Sequence, residues 1–228
     1  MISQNLQEIQ DRIKQRALLL QRSPDEIQLI AVSKKISTPF IEEAVQGGQF
    51  YFGENYIQEA VEKKGKLGER IGLHMLGHLQ SNKAKIAAQI FYMIQTVDSI
   101  KLASALARHL DSLGRTMKIL VQVNIGNDPN KSGVMPEKTE ELLQQIKSLD
   151  KIETLGLMTI PPVTPSPEEA RPHFKALRHL AIDLSRKELF HDNRRIELSM
   201  GMSDDFEIAI EEGATMVRIG TAIFGQRP

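Results

Sequence analysis

Residues 27–35 read IQLIAVSKK: an apolar run interrupted only by Gln28, then a serine and two lysines. Without polar alternation, such a run describes a strand covered on both faces, as strands are in parallel α/β proteins. In these folds chemistry gathers where strands end. Lys34 stands at that end, with a second cation, Lys35, behind it. Desolvation and like-charge repulsion push such an amine toward its neutral form, in which it attacks an aldehyde. The plain alternative is a solvated lysine at a strand end, because lysine is mostly exposed. Neighbouring side chains of a strand point to opposite faces, so only one of the two lysines is expected at the functional end, and Lys34 is taken as that one.

Outward from this run, short apolar strands alternate with amphipathic helices. Ile2, Leu6, Ile9, Ile13 and Leu20 fall near helical spacing and predict an opening helix. Strand-like runs recur at 49–52, 73–76, 92–97, 117–125, 152–158, 195–200 and 215–219, which with the first makes eight. Helical patterns lie between them at 41–45, 60–66, 82–89, 102–113, 137–149, 167–185 and 204–212. Thr38 and Pro39 offer an N-cap and first-turn proline for the first of these, and Ser166, Pro167 and Glu169 form a capping box for the sixth. Strict alternation implies parallel strands, and eight strand–helix units close a barrel. The expected architecture is therefore a single (β/α)8 TIM-like barrel domain over residues 1–228 with an extra N-terminal helix. An open doubly wound sheet is the alternative, but Ser33-Lys34-Lys35 stands where its glycine-rich dinucleotide turn would follow the first strand.

Composition narrows the function classes. With 29 basic and 29 acidic residues, the chain lacks the electrostatic footprint of a nucleic-acid binder. It has no cysteine, which removes disulfides, thiol catalysis and cysteine-ligated metals and suits a reducing compartment. Glu8 and Asp11 interrupt the N-terminal stretch, so it does not read as a secretory signal, and no run approaches the ~20 apolar residues of a membrane span. A cytoplasmic protein is expected, with no nucleic-acid or membrane partner. His74 and His78 are four apart but on a strand and its loop, where that spacing does not share a face, so no metal site is expected.

In a barrel the ligand sits at the C-terminal strand ends. Polar groups and glycines concentrate there: Ser33 and Lys34; Gly53, Glu54 and Asn55; Gly77 with His78 beyond it; Asp98; Asn124; Met158 and Thr159; 199–203; Arg218, Gly220 and Thr221. Two turns suit an anion. In SMGMSDD, 199–205, Gly201 permits a sharp turn, Ser199 and Ser203 bring hydroxyls, and Ser203 is expected to cap the next helix. In RIGTAIFG, 218–225, Gly220 and Thr221 offer backbone N–H groups and a hydroxyl. Both follow strands seven and eight, where phosphate sites of barrels often lie, although ordinary turn and capping chemistry explains either one alone. Asp204 and Asp205 already place negative charge at their helix start, so backbone and hydroxyls are expected to hold the anion more than the helix dipole. Asn55 and His74 are candidates to line a ligand ring, or to satisfy neighbouring backbone groups. Met158, Met200 and Met202 read mainly as packing, with Met158 kept as a candidate contact. The loops at 126–135 and 159–166 are expected to overhang the strand ends, as a lid, a partner surface or passive connections.

A nucleophilic lysine opposite a phosphate cradle invites an aldehyde that carries a phosphate, and pyridoxal 5′-phosphate (PLP) fits. AVSK at 31–34, FGENYIQE at 52–59, HMLGHLQSNK at 74–83, KSG at 131–133, GLMTIP at 156–161, LSMGMSDD at 198–205 and MVRIGTAIFG at 216–225 closely resemble the PLP homeostasis proteins. That family's barrels are similar to the N-terminal domain of alanine racemases. The resemblance implies that Lys34 holds PLP covalently as an imine, that Ser199, Gly201, Ser203, Gly220 and Thr221 surround its phosphate, and that Arg218 approaches the pyridine nitrogen. A permanent guanidinium there weakens the ring as an electron sink, which suits holding the cofactor more than carbanion chemistry. No catalytic residue is assigned. A monomeric carrier that buffers PLP and supplies apoenzymes is expected. The alternatives are an amino-acid racemase, which needs acid/base groups on both faces of the substrate carbon and finds no evident second base before Gln226-Arg227-Pro228, and an imine-forming aldolase.

Overall fold

The computed structural model describes residues 1–128, 131–162 and 164–225. Eight parallel strands close in sequence order: β1 (Gln28–Val32), β2 (Tyr51–Glu54), β3 (Gly72–Met75), β4 (Met93–Val97), β5 (Met117–Gln122), β6 (Ile152–Met158), β7 (Glu197–Ser199) and β8 (Met216–Ile219). The seam is the β1–β8 pair, in register from Gln28 opposite Met216 to Ala31 opposite Ile219. Helices α1 (Ile2–Leu19), α2 (Thr38–Gln46), α3 (Ile57–Leu67), α4 (Ala84–Ile90), α5 (Ile100–Leu113), α6 (Thr139–Ile146), α7 (Arg171–Arg186), α8 (Phe206–Glu211) and α9 (Thr221–Phe224) surround it. None of these helices is long and apolar enough to cross a membrane.

Two apolar layers result from the strand period of two. One face of each strand meets the helices, where Phe52, Ile94, Ile119, Val121 and Val217 join Leu106, Leu110 and Phe174 in one core. The other faces point inward: Ile30, Leu76, Met93, Leu120, Met158 and Met216 fill the barrel. The opening helix lies outside the seam. It buries Ile2, Leu6, Ile9, Ile13 and Ala17 and touches α2, α8 and α9. Glu43 accepts from the backbone N–H of Ile2 at 2.9 Å, satisfying one of the donors its first turn leaves open.

Several boundaries move from those expected. The first strand stops at Val32, two residues short of Lys34, because Ser33 begins a turn. Gly53 and Glu54 lie within β2. The predicted strand to Ile125 ends at Gln122, beyond which an isolated bridge joins Val123 and Val134. Ser37 rather than Thr38 is the cap residue of α2. The expected capping box closes side chain to side chain, Ser166 Oγ to Glu169 Oε1 at 2.9 Å, and precedes a 3-10 turn at Pro167–Ala170, so α7 itself begins at Arg171. The short helix α9 falls where only a turn was expected, because Gly220 accepts from both Ile223 and Phe224. Gln226, Arg227 and Pro228, and Pro129, Asn130 and Val163 of the two overhanging loops, lie outside the described residues.

Candidate functional site

Lys34 occupies a tight turn rather than a strand. The Ser33 N–H still pairs with the Gly53 carbonyl at 2.9 Å, and the Ser33 carbonyl then accepts from Ile36 N at 3.0 Å. Lys35, third in that turn, has φ +59°. Left-handed backbone is uncommon for a residue with a side chain and persists only where its surroundings hold it. Here its N–H donates to Glu59 Oε2 at 2.7 Å. Lys34 is half-buried and Lys35 exposed. The two amines are thus separated by a reversal of the chain, and strand alternation, the reason expected from sequence, does not apply.

Beneath this turn lies a charged network that sequence reading missed. Ser33 Oγ donates to Glu54 Oε1 at 2.6 Å, and Lys63 Nζ donates to the same oxygen at 2.7 Å and to the Ser33 carbonyl at 2.6 Å. A third contact runs from Lys63 to Glu59 Oε2 at 3.3 Å. Glu54 and Ser33 are fully buried. Burial raises the Glu54 pKa, and the Lys63 charge opposes that shift. The available signal was Glu59 and Lys63 at helical i,i+4 spacing in α3. Nothing in the sequence says that this face reaches the end of β1.

Arg218 stands across the β1–β8 seam, 3% exposed, opposite Ile30 in register. Its Nη1 donates to Ser199 Oγ at 2.7 Å and its Nη2 to the Thr159 carbonyl at 2.7 Å. Because a guanidinium only donates, the single Ser199 proton goes on to Gln95 Oε1, 2.6 Å away. The Gln95 amide then faces His74 Nδ1 at 2.8 Å, which fixes the imidazole proton on Nε2. Desolvation drives the His74 pKa down to about 3, so the ring is neutral. Burial likewise lowers Arg218 to about 10, which leaves it charged at neutral pH, with Asp205 pulling the other way. Ser199, expected around a phosphate, here spends its hydroxyl on Arg218 and Gln95. His74 packs on Tyr51 and Tyr92, residues at the N-terminal ends of β2 and β4, opposite the end that carries Lys34.

The two anion turns meet. Thr221 Oγ1 and Ser203 Oγ lie 3.1 Å apart and both residues are solvent-accessible. Gly201 has φ +91°, and a Cβ there would stand 2.5 Å from Ala209 Cβ, so glycine lets this turn sit against α8. Its carbonyl accepts from Arg218 N at 3.0 Å. Ser203 does not cap α8 as expected. The helix starts later, with Asp205 at its cap, and the Asp205 carboxylate takes Met202 N at 2.6 Å. Gly220 is the cap residue of α9. Asn55 is half-buried and lines a cavity of about 190 Å³ with Tyr56, Met75, His78 and Lys83, while Met158 is buried inside the barrel. A larger cavity of about 670 Å³ lies between the loops after β5, β6 and β7, lined by Lys131, Ile160, Pro162, Met202, Ser203 and Asp205. Lys131 Nζ bridges two of those loops by donating to the Pro161 carbonyl at 2.7 Å. Among the described residues, no three histidine or carboxylate side chains group as metal ligands.

Comparison with known proteins agrees with this fold. Residues 4–228 match the family model described as alanine racemase, N-terminal domain. The pyridoxal phosphate homeostasis protein of Escherichia coli (strain K12) is 39% identical over 99% of this chain and 97% of its own. That of Aquifex aeolicus (strain VF5) is 36% identical over 98% and 97%. The structure of PipY of Synechococcus elongatus PCC7942 with PLP bound superposes with a TM-score of 0.82 at 39% identity, covering 93% of this chain and 100% of that one. Alanine racemase from Corynebacterium glutamicum, at 20% identity and a TM-score of 0.71, shares the fold, with 61% of its chain covered. The chain belongs to the pyridoxal phosphate homeostasis proteins, built on the alanine racemase N-terminal domain fold.

Proposed function

We propose that this protein holds PLP on Lys34 as an imine and acts in PLP homeostasis, as a cytoplasmic carrier that keeps the free aldehyde low and supplies apoenzymes. The observation that carries the reading is the juxtaposition across one seam: a half-buried lysine leaves the end of β1, while adjacent β8 delivers Arg218 and the Thr221 hydroxyl, with Ser203 against it. The family relationship and the PLP-bound PipY structure support the same cofactor. PLP brings an aldehyde that condenses with an amine and exchanges between amines. The protein's own groups then divide the work. Lys34 gives the amine, Ser203, Thr221 and the Gly201 and Gly220 turns receive the phosphate, and Arg218 faces the pyridine nitrogen and disfavours its protonation. Ser199 acts on this group through Arg218, whose guanidinium donates to its hydroxyl, and His74 stands behind them on Gln95, while Asn55 and Met158 are assigned to the neighbourhood of the ring. Racemisation requires an acid/base group on each face of a substrate carbon, and the alanine racemases at 16–20% identity lend this chain their fold alone.

The test is to load purified protein with PLP, reduce it with borohydride and map the labelled peptide. Label on Lys34, transfer of cofactor to an added apoenzyme with equivalent loss from the barrel, and no sustained conversion of L- to D-amino acids are expected. Label on another lysine, or multiple-turnover racemisation abolished by Lys34→Ala, overturns the reading.

A further inference from the structure

We propose that Glu54 and Lys63 are positioning residues for the cofactor-holding amine, a buried pair that locks the peptide units on either side of Lys34 and so fixes where its side chain leaves the backbone. The inference rests on the reading that Lys34 carries PLP, and goes beyond it by assigning the device that aims the amine. The hydrogen bonds are disposed for that task. Ser33, which precedes Lys34, is held at three atoms: its N–H by Gly53, its hydroxyl by Glu54, and its carbonyl by Lys63 and Ile36. Lys35, which follows, is held in its left-handed conformation through its N–H on Glu59. Lys63 joins the two halves. An ammonium has three donors, and those of Lys63 go to Ser33, Glu54 and Glu59. Residue 34 is therefore suspended between two neighbours fixed to one cluster.

The pair has little other use. The Lys63 and Glu54 side chains are 6% and 0% exposed, so they do nothing for solubility. A well-packed apolar pair of similar volume stabilises a fold as well as or better than a buried ion pair, whose better-attested role is to specify one arrangement among several. Here the arrangement specified is the turn at the end of β1. Glu54 Oε1 makes both side-chain contacts, while Oε2 has no partner among the described residues. The carboxylate is thus oriented through one oxygen, by Ser33 of the turn and by Lys63 of α3, and by no other described side chain.

The experiment compares binding with bond formation. The double variant Glu54→Leu/Lys63→Met removes both charges without stranding either one. Its affinity for pyridoxine 5′-phosphate, which carries the same ring and phosphate but no aldehyde, is expected to stay within about twofold of the parent. Growth of the imine absorbance band after mixing with PLP is expected to slow at least about tenfold, the size of effect that misplacing a reacting group produces. Bond formation at the parent rate overturns the proposal, as does a parallel fall in pyridoxine phosphate affinity, which assigns the pair to holding the whole mouth. If urea unfolding shows the double variant unfolded, Ser33→Ala removes the hydroxyl tie to Glu54 and Glu59→Ala removes the acceptor of Lys35 N–H and Lys63, and the same comparison is read from them. A slowing of about threefold with retained affinity supports the device, and parent rates in both overturn it. Mapping the reduced label in the parent keeps the two ideas apart. Label away from Lys34 ends the carrier reading and this inference together, whereas label on Lys34 with unaltered rates in the variants ends only this one.

Discussion

Arg218 is a buried cation held by a hydroxyl and a carbonyl, so its neighbours must supply the hydrogen bonds that water no longer can. Gln95 completes that holder, with its oxygen on Ser199 and its nitrogen on His74. Gln95→Leu strands a hydroxyl proton and an imidazole acceptor at once, and is expected to lower stability by roughly 2–4 kcal/mol, measured by urea unfolding. His74 gives a pH signature. Its folded pKa, about 3, lies below the ordinary histidine value of about 6.5, so the unfolded chain takes up a proton that the folded protein refuses. Stability from this group is present above pH ~6.5 and is lost as pH falls toward 3, on the order of 2 kcal/mol between pH 6.5 and 4.5. Glu54 and Asp205, whose pKa values burial raises, act in the opposite sense over the acidic range. The difference between the parent and His74→Phe isolates the histidine. The variant is expected to lose less stability than the parent over that interval, and equal slopes would remove His74 from the account.

At the scale of elements, two glycines show how closely the strands and turns are fitted. Gly156 of β6 pairs with Glu197 of β7, and a Cβ on it would fall 1.9 Å from the Glu197 carbonyl oxygen. Backbone cannot rotate away as a side chain can, so Gly156→Ala forces β6 and β7 apart. A loss of about 3 kcal/mol or more is expected, seen as a lower urea midpoint or as insoluble protein. Gly201→Ala combines a disfavoured φ with a clash against Ala209 in α8. It is expected to cost about 1–3 kcal/mol and also to weaken binding of pyridoxine 5′-phosphate, because the turn it distorts carries Ser203. Gly156→Ala is the control that separates the two effects: its damage lies in the β6–β7 pairing, so any folded fraction should bind the phosphate compound more nearly as the parent does.

For the whole molecule, one chain provides every group of the proposed site. Lys34 comes from the end of β1, Ser203 from beyond β7, and Arg218 and Thr221 from β8 and the turn after it. The expected stoichiometry is therefore one PLP per chain, in a species that sediments as a monomer, and a half-site stoichiometry would show that a second copy completes the site. PLP held preferentially at the assembled mouth should raise the unfolding midpoint, by up to about 2.7 kcal/mol of stability when free ligand is at a hundred times its Kd, less whatever imine forms on lysines of the unfolded chain. Urea unfolding with and without PLP measures this, and Lys34→Ala is expected to show a smaller gain.

The sequence by itself determined the architecture, since apolar runs too continuous for a one-sided sheet, separated by amphipathic helices and repeated eight times, admit few arrangements other than a closed parallel barrel. It also put Lys34, Ser203 and Thr221 in the segments that follow β1, β7 and β8, and Arg218 in β8 itself, because a residue's position relative to a strand is a local property. Tertiary structure alone decided which of these groups are spent on one another. Ser199 is 104 residues from Gln95 and 19 from Arg218, and only barrel closure makes its hydroxyl their link. Glu54 reads only as one of several polar residues at a strand end, and Lys63 as a charge on a helix, until α3 folds back over the end of β1. The reason in both cases is physical: spacing along the chain encodes which face a side chain takes, whereas hydrogen-bond partners are set by which faces meet, and that is fixed only when the elements pack against one another.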